Sequence, residues 1–488
     1  MLKSCPRWRF QVMSHQLRGK LHLAQIVYGP LVCVLLNSIL LTWISINQPS
    51  YLHDYRLNIN PDARHYVLLG RNFFLSGEFS RSASAPYHPD MFRTPGYPLF
   101  AGALDILGGT ALIYVTQAML QSLNCVIIFL LTKRLFGEKS ALIASLLCGT
   151  DLMLAVLNFG AMSEAVYVFL ISVSALVILP IILEPRRRQL YLFFVAGLLL
   201  GLAIHVRPAG LYLPIVYGFG ILIAGVWGGW WKKALSDSMA LTFGAALVVV
   251  PWIVRNYAVF GIPRLTTNDN IVLAFYTGAG AYQVHYGVDL GTAQRMIAHE
   301  FGLRPTEEMF NPWISNLSPK EMDDTLRAAI PTILRKYPLD LTKASVMGIF
   351  KASVSHNVDE LAAILGKPWS GPELHRILRF DFSSVPRLFE NHGGLVAAFL
   401  WEVIYILCII LLTFCGFLKL LWTREKRMAG VVLLILFGFF IATLGASGLE
   451  AYSRFRSAIM PLTYVVAAYM LAFYLSCFSR ALPKPTKL

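Results

Sequence analysis

Residues 163–183 read SEAVYVFLISVSALVILPIIL, with one acidic residue, Glu164, at the entrance and no further charge as far as Leu183. At about 1.5 Å per residue, a helix of that length crosses a hydrocarbon core of about 30 Å. A backbone in lipid has no water to bond, so an apolar run this long is helical and membrane-spanning. Outward in both directions, comparable runs recur at 24–46, 110–132, 139–158, 190–206, 211–230, 236–256, 395–418, 429–449 and 457–478. They predict about ten transmembrane helices. Asp151 interrupts the 139–158 run, and the apolar stretch 96–108 is short and flanked by Pro and Gly, which suits a re-entrant or interfacial helix. The 488 residues are 56% hydrophobic and 14% charged, whereas soluble domains carry about 25% charged residues. An ordinary soluble protein is excluded, and the expected fold class is an all-α polytopic integral membrane protein with juxtamembrane helices in its outer loops.

The net charge of +15 is a matter of position. Lys3, Arg7, Arg9, Arg18 and Lys20 precede the first span. Lys133, Arg134 and Lys139, then Arg186, Arg187 and Arg188, then Lys232 and Lys233 fall at alternate connections. Lys419, Arg424, Lys426 and Arg427, and finally Arg480, Lys484 and Lys487, continue the series on the same side. By the positive-inside rule that side is cytoplasmic, and both termini are expected there. Two long loops, about 47–109 and 257–394, occupy the opposite face. The chain divides accordingly into an N-terminal membrane bundle (1–256), a long outer loop region (257–394) and C-terminal membrane helices (395–488). The excess of base is a topology signal, and no nucleic-acid partner is expected. The first span is longer than a signal-peptide core and lacks a small-x-small site after it, so it is expected to be retained. The seven cysteines (5, 33, 125, 148, 408, 415 and 477) all lie outside the long loops, with no CxxC or Cys/His metal spacing.

In the first outer loop, the stretch from Asp62 to Leu75 has apolar residues at Tyr66, Leu69, Phe73 and Phe74, with Arg64, Arg71 and Asn72 on other faces. That spacing predicts an amphipathic helix along the outer leaflet. Asp62 begins it, and Asp is common at helix starts for purely structural reasons. A Pro/Gly-rich turn follows, and Arg93-Thr-Pro-Gly-Tyr-Pro98 leads back into the membrane. In the second loop, helices are expected near 291–302 and 319–336, and the amphipathic segment from Leu341 to Ser353 suits the outer leaflet. A loop of this size fits a lid over a lateral cavity or a partner-docking domain. Asn316-Leu-Ser318 fits an N-glycosylation sequon, a triplet frequent by chance.

Ionisable residues at span ends cost several kcal/mol unless they meet water, a cavity or a partner. Asp151, Glu164, His205, Arg207, Arg255, Glu450, Arg454 and Arg456 all fall near the outer surface in this topology. Such residues also simply mark the water interface. Gathered under long loops, they suit a cavity for an anionic lipid headgroup, with Arg for phosphate and a carboxylate for proton transfer.

Several phrases in order carry a resemblance. Asn60-Pro-Asp62-Ala-Arg-His-Tyr66 with Gly70-Arg-Asn72, Arg93-Thr-Pro-Gly-Tyr-Pro98 and Ser163-Glu164-Ala165 come first. Gly201-Leu-Ala-Ile-His-Val-Arg207-Pro208, Pro251-Trp252-Ile-Val-Arg255-Asn256-Tyr257 and Arg454-Phe-Arg456 with Pro461 complete the series. Together they resemble the GT-C glycosyltransferases over about residues 20–480, in particular the branch with protein O-mannosyltransferases and the lipid A aminoarabinose transferase. The resemblance implies a GT-C-type bundle that transfers a sugar from a polyprenyl-phosphate donor to an acceptor at the outer face. It implies Asp62 as catalytic base. Many members carry two adjacent acids there, whereas this chain has Asp62-Ala63, which leaves Asp151 or Glu164 as sources of a second carboxylate.

Departure of a polyprenyl phosphate needs cations to neutralise the developing charge. Arg255 is the first expectation for that contact, followed by Arg207, Arg454 and Arg456. Arg93, Tyr66, Tyr97 and His205 are expected around the acceptor and sugar. Some GT-C enzymes need a divalent metal, but this chain has no D-x-D cluster, so no metal or other cofactor is expected. In-line attack would invert the anomeric centre. An O-antigen ligase or polymerase is a competing reading, but those use diphosphate donors and usually lack the early acidic loop. A transporter or flippase would place ionisable groups or broken helices at the bilayer midplane. A bacterial inner membrane is expected, with the site facing the periplasm. The donor sugar, the carrier length and the acceptor (glycolipid, glycan or protein) stay open.

Overall fold

The computed structural model describes residues 6–58, 60–183, 189–312, 318–367 and 385–481. Lys3, Arg186, Arg187, Arg188, Asn316, Lys484 and Lys487 lie outside the described residues. Helix α1 (Pro6–Asn47) carries the apolar span Gln25–Asn47. The first outer loop contains α2 (Pro61–Ser76), and α3 (Gly96–Phe136) returns through the bundle. Then come α4 (Glu138–Gly149), α5 (Leu152–Asn158), α6 (Glu164–Leu183), α7 (Leu190–Val206), α8 (Leu213–Trp227) and α9 (Trp231–Phe260). The second outer loop holds α10 (Leu290–Glu300), α11 (Pro319–Lys336), α12 (Pro338–Val354) and α13 (Val358–Ile364). Helices α14 (Val385–Trp422), α15 (Arg427–Gly445) and α16 (Met460–Ala481) complete the chain.

Among the described residues, eight helices are long and apolar enough to cross a membrane, or nine when the bent pair α4–α5 is one span. Helix α7 is apolar but only 17 residues long. With it, each of the ten apolar runs in the sequence has its helix. Large apolar side chains such as Leu35 and Ile39 on α1, Phe243 on α9, and Leu411 and Phe414 on α14 are exposed. Apolar surface on that scale needs lipid to cover it. The protein is an all-α, multi-pass membrane protein. Among the described residues an isolated antiparallel bridge, Ser80 with Pro89, is the extent of β-structure.

Two breaks have local causes. Gly108 and Gly109 leave helical geometry (φ −157°, ψ 20° and φ 71°, ψ −175°), so the 96–108 stretch forms its own helix ahead of the span proper. The α4–α5 pair bends by 49°. There the Asp151 carboxylate accepts the Leu154 N–H at 3.1 Å, a side-chain cap that replaces the continuing helical ladder.

The outer loops are fastened to the bundle by close backbone approach. Gly70 on α2 lies against α3 so tightly that a Cβ there would fall 1.9 Å from the Pro98 carbonyl oxygen. Arg71 reinforces the contact through Asp105 at 2.6 Å. Asn72, expected on a face other than the apolar one, is buried. Its amide donates to the carbonyls of Ser80 (2.8 Å) and Ser82 (2.9 Å) and so fixes the turn after α2. Phe73, Phe74 and Leu75 are the exposed large hydrophobic residues of that helix. The second loop packs onto the first at the same end of the bundle. Thr266 donates to the Phe92 carbonyl at 2.7 Å, and Arg81 to that of Phe310 at 2.6 Å.

Gly70→Ala is therefore expected to lower stability by about 1–3 kcal/mol, the usual cost of overpacking. Gly438→Ala, with nothing within 4 Å of the added carbon, should be neutral or slightly stabilising. Melting temperatures of the detergent-solubilised variants check both, and equal effects at the two positions would refute the α2–α3 argument.

Candidate active site

The site grows from the start of α2. Asn60 caps that helix by accepting the Asp62 N–H at 3.3 Å, and Pro61 occupies the first turn. Asp62 is thereby held at the helix N-terminus, where a carboxylate is favoured. Its main partner comes from the turn at 90–95. There the Asp90 carboxylate accepts the N–H groups of Phe92 (2.9 Å) and Arg93 (3.0 Å) and fixes the backbone. Gly96 then presses on the end of α7, where a Cβ would fall 2.6 Å from the His205 carbonyl carbon. The Arg93 side chain donates to Asp62 at 2.5 Å and to the Tyr66 hydroxyl at 3.2 Å. Its guanidinium also lies 4.9 Å from the Tyr66 ring centroid and 4.7 Å from that of Phe92. Tyr66 packs edge-on against Tyr97 at 4.9 Å, and the Tyr97 hydroxyl donates to Gln117 at 2.7 Å.

The link between α15 and α16 supplies the opposite wall. Arg454 reaches the second oxygen of Asp62 at 3.6 Å. Glu164, buried at the start of α6, pairs with Arg207 at 2.5 Å. The Phe455 ring lies 5.7 Å from the Arg207 guanidinium and 5.3 Å from that of Arg454. Asp62, Arg93, Tyr66, Tyr97, Glu164, Arg207 and Arg454 thus share one chamber, with cations and carboxylates interleaved.

Burial alone would raise the Asp62 pKa, but the charges of Arg93 and Arg454 outweigh it and hold the carboxyl below its ordinary value. His65 is pushed down to about 4 by burial and by Arg81 and Arg93, so it is neutral at physiological pH. Several polar atoms here lack a hydrogen-bond partner: Arg93 Nε, Arg454 Nη1, Glu164 Oε2 and His65 Nδ1. Buried donors are normally satisfied, and a pair of open guanidinium N–H groups facing one carboxylate fits an anionic ligand. Among the described residues no group of three or more His, Cys, Asp or Glu side chains is arranged to hold a metal ion.

Other residues singled out in the sequence lie elsewhere. Arg255 donates through Nη1 to the Asp90 carbonyl (2.8 Å) and to the Asn256 side-chain oxygen (2.9 Å), with its guanidinium 4.8 Å from the Trp252 ring centroid. Asp151 is buried under Tyr464, whose hydroxyl donates to it at 2.7 Å. Arg456 donates to the carbonyls of Ala352, Ser353 and Ser355 at 2.9–3.0 Å and lies 3.7 Å from Glu402. The His205 ring meets the Val248 carbonyl at 2.9 Å. Glu450 accepts from Tyr452 at 2.6 Å.

Three residues absent from the sequence reading belong in the description. Tyr276, on a π-helical turn (Leu273–Gly278), feels the charges of Asp62, Arg93 and Arg454. Glu360 on α13 feels those of Arg454 and Glu164. Glu402, buried in α14, accepts the Asn357 N–H at 2.9 Å. A carboxylate within an apolar run was a visible signal for Glu402. Tyr276 and Glu360 have no local signature.

Residues 95–254 match the family described as dolichyl-phosphate-mannose-protein mannosyltransferase. The oligosaccharyltransferase of Archaeoglobus fulgidus, tethered with an acceptor peptide containing the NVT sequon, aligns at TM-score 0.51 and 15% identity. That alignment covers 95% of this chain and 51% of the other, so the chain spans about half the length of that relative. The chain shares its fold with that oligosaccharyltransferase. ArnT from Cupriavidus metallidurans, bound to undecaprenyl phosphate, aligns at TM-score 0.39 and 14% identity over 93% of this chain and 81% of the other. No curated protein sequence matches. In this bundle the charged chamber sits where the first outer loop, the start of α6 and the α15–α16 link meet.

A carboxylate whose pKa is depressed on folding adds stability above its unfolded value and loses it as the pH falls through the folded value. The melting-temperature difference between wild type and Asp62→Asn should therefore be flat above about pH 5. It should shrink only as the pH falls below the ordinary carboxylate pKa of about 3.9. A difference that already fades between pH 7 and 5 would mean the arginines do not dominate this carboxyl.

Proposed function

We propose that this chain is an integral-membrane glycosyltransferase that moves a sugar from a polyprenyl-phosphate donor to an acceptor at the face bearing the two long loops. The observation that carries the reading is Asp62 lying between Arg93 and Arg454, each with an N–H group left unpartnered in a half-buried chamber. The charge-paired chamber is set at the ends of membrane helices, where a lipid phosphate arrives from the bilayer and an acceptor arrives from water.

In the proposed reaction, Asp62 takes the proton of the acceptor hydroxyl or amine as that group attacks the anomeric carbon. The bond between that carbon and the phosphate oxygen breaks, and the electron pair leaves with the polyprenyl phosphate. Arg93 and Arg454, with Arg207 behind them, stabilise the negative charge there. Attack opposite the leaving phosphate inverts the anomeric centre. Guanidinium groups supply the neutralising charge, so the reading includes no resident metal. The positive-inside pattern of the short connections supports cytoplasmic termini and a site facing the periplasm of a bacterial inner membrane. The acceptor is a glycolipid, a glycan or a protein.

Proteoliposomes supplied with radiolabelled polyprenyl-phosphate hexose or pentose test the reading. Wild type should release sugar from a donor, and Asp62→Asn should fall about a hundredfold, within the range for losing a general base. Arg454→Gln should weaken donor use mainly through KM, and EDTA should leave the rate unchanged. Full activity of Asp62→Asn would remove Asp62 from the base role. Loss of activity in EDTA would require a metal.

A further inference from the structure

Arg454 owes its place in the chamber to the backbone that bears it. Its guanidinium lies 3.6 Å from Asp62 and 5.3 Å from the Phe455 ring, and its Nη1 is open. Contacts of that length hold a long side chain loosely, so its aim follows the backbone of the short 3-10 turn Ser453–Ala458. That turn has few bonds of its own: the Phe455 N–H meets the Tyr452 carbonyl, and the Ile459 N–H that of Arg456, both at 3.0 Å. Residues on either side of Arg454 are anchored instead to the end of α12 and the turn after it. Ser453 donates its hydroxyl to the Asn357 side-chain oxygen. Arg456 donates to the carbonyls of Ala352, Ser353 and Ser355 at 2.9–3.0 Å.

One carboxylate stands behind both anchors. Glu402, buried in the span Gly393–Trp422, accepts the Asn357 N–H at 2.9 Å and lies 3.7 Å from Arg456. Among the described residues its second oxygen accepts no hydrogen bond, so the Asn357 bond is the stronger of the two links. An ionisable group inside a span is costly, and well-packed apolar side chains often serve stability as well as a buried ion pair does. What the carboxylate adds is direction. It fixes Asn357, whose side chain meets Ser453, the residue just before Arg454. We propose that Glu402 is a positioning residue for the donor phosphate site, holding Arg454 on Asp62 through Asn357 and Ser453, with Arg456 as a second strut. The inference rests on the donor reading above and adds to it a residue of α14 that acts through two intermediaries.

The test measures binding of farnesyl phosphate, a lipid phosphate without a sugar, to the purified full chain at pH 8. Arg454→Gln should weaken binding about tenfold, the scale of one lost hydrogen bond to a charged group. Glu402→Leu should weaken it by a similar factor, and the double variant should bind no worse than either single one. Glu402→Gln keeps an acceptor for the Asn357 N–H and should stay within about threefold of wild type. Ser453→Ala cuts the last link without touching the buried acid, and it decides the matter if Glu402→Leu does not fold. Combined with Arg454→Gln, it too should be non-additive. Wild-type affinity in Glu402→Leu overturns the proposal, as do losses that multiply in the double variants, the mark of a general loosening. A loss in Glu402→Gln as large as in Glu402→Leu would assign the effect to Arg456 and overturn the route through Asn357. Absence of binding by wild type would overturn the donor reading, and melting temperatures then judge the positioning by itself. The coupling between Asp62→Asn and Arg454→Gln should be present in the otherwise wild-type chain and vanish in the Ser453→Ala background. Any other pattern overturns the proposal.

Discussion

The ion pair between Asp62 and Arg93 is the constraint on which the outer half of the molecule depends. Asp62 is fixed by the capped start of α2, and Arg93 by the Asp90 turn and the seat of Gly96 on α7. Their 2.5 Å contact therefore sets the spacing between the loop helix and the membrane bundle. Arg454 ties the C-terminal helices to the same carboxylate. Taking such groups partly out of water is costly, and the cost is offset only while each charge keeps its counter-charge. Interleaving cations and carboxylates achieves this without a bound ligand, and it leaves N–H groups of Arg93 and Arg454 open toward one.

A second network holds the roof in place. Arg456 gathers three carbonyls where α12 ends, and a guanidinium satisfies such orphaned acceptors well. Glu402 accepts the Asn357 N–H and lies 3.7 Å from Arg456. The intramembrane carboxylate thus acts on the site through the second loop. Asp151 has a comparable structural place, capping the bent half of its span and accepting from Tyr464. Both acids are buried and accept backbone N–H groups where a helical ladder is interrupted or has not begun.

The spans were legible because apolar length is a local property, and the ten runs found their helices to within a few residues. The helix at 319–336 was equally plain, since Ser318 and Glu321 form a capping box around Pro319. The burial of Asn72 was not legible, because polarity alone does not separate an amide facing water from one that satisfies a buried turn. Arg255 stood out by its position at the outer end of a span, but the bonds from its Nη1 to the Asp90 carbonyl and Asn256 are contacts that spacing cannot reveal. Asp62, Arg93 and Arg454 were each visible as residues, but their meeting on one carboxylate was not. It joins positions far apart in the chain and depends on the close α2–α3 approach at Gly70.

That meeting bears on how a base can work in the proposed reaction. Two flanking guanidinium groups stabilise the Asp62 carboxylate and so make it a poor proton acceptor while the site is empty. An arriving phosphate brings its negative charge beside the same two guanidinium groups, and each pKa unit it returns to Asp62 corresponds to about 1.4 kcal/mol of proton affinity. Base strength would then depend on donor occupancy, and water entering an empty chamber would meet a carboxylate too weak to activate it.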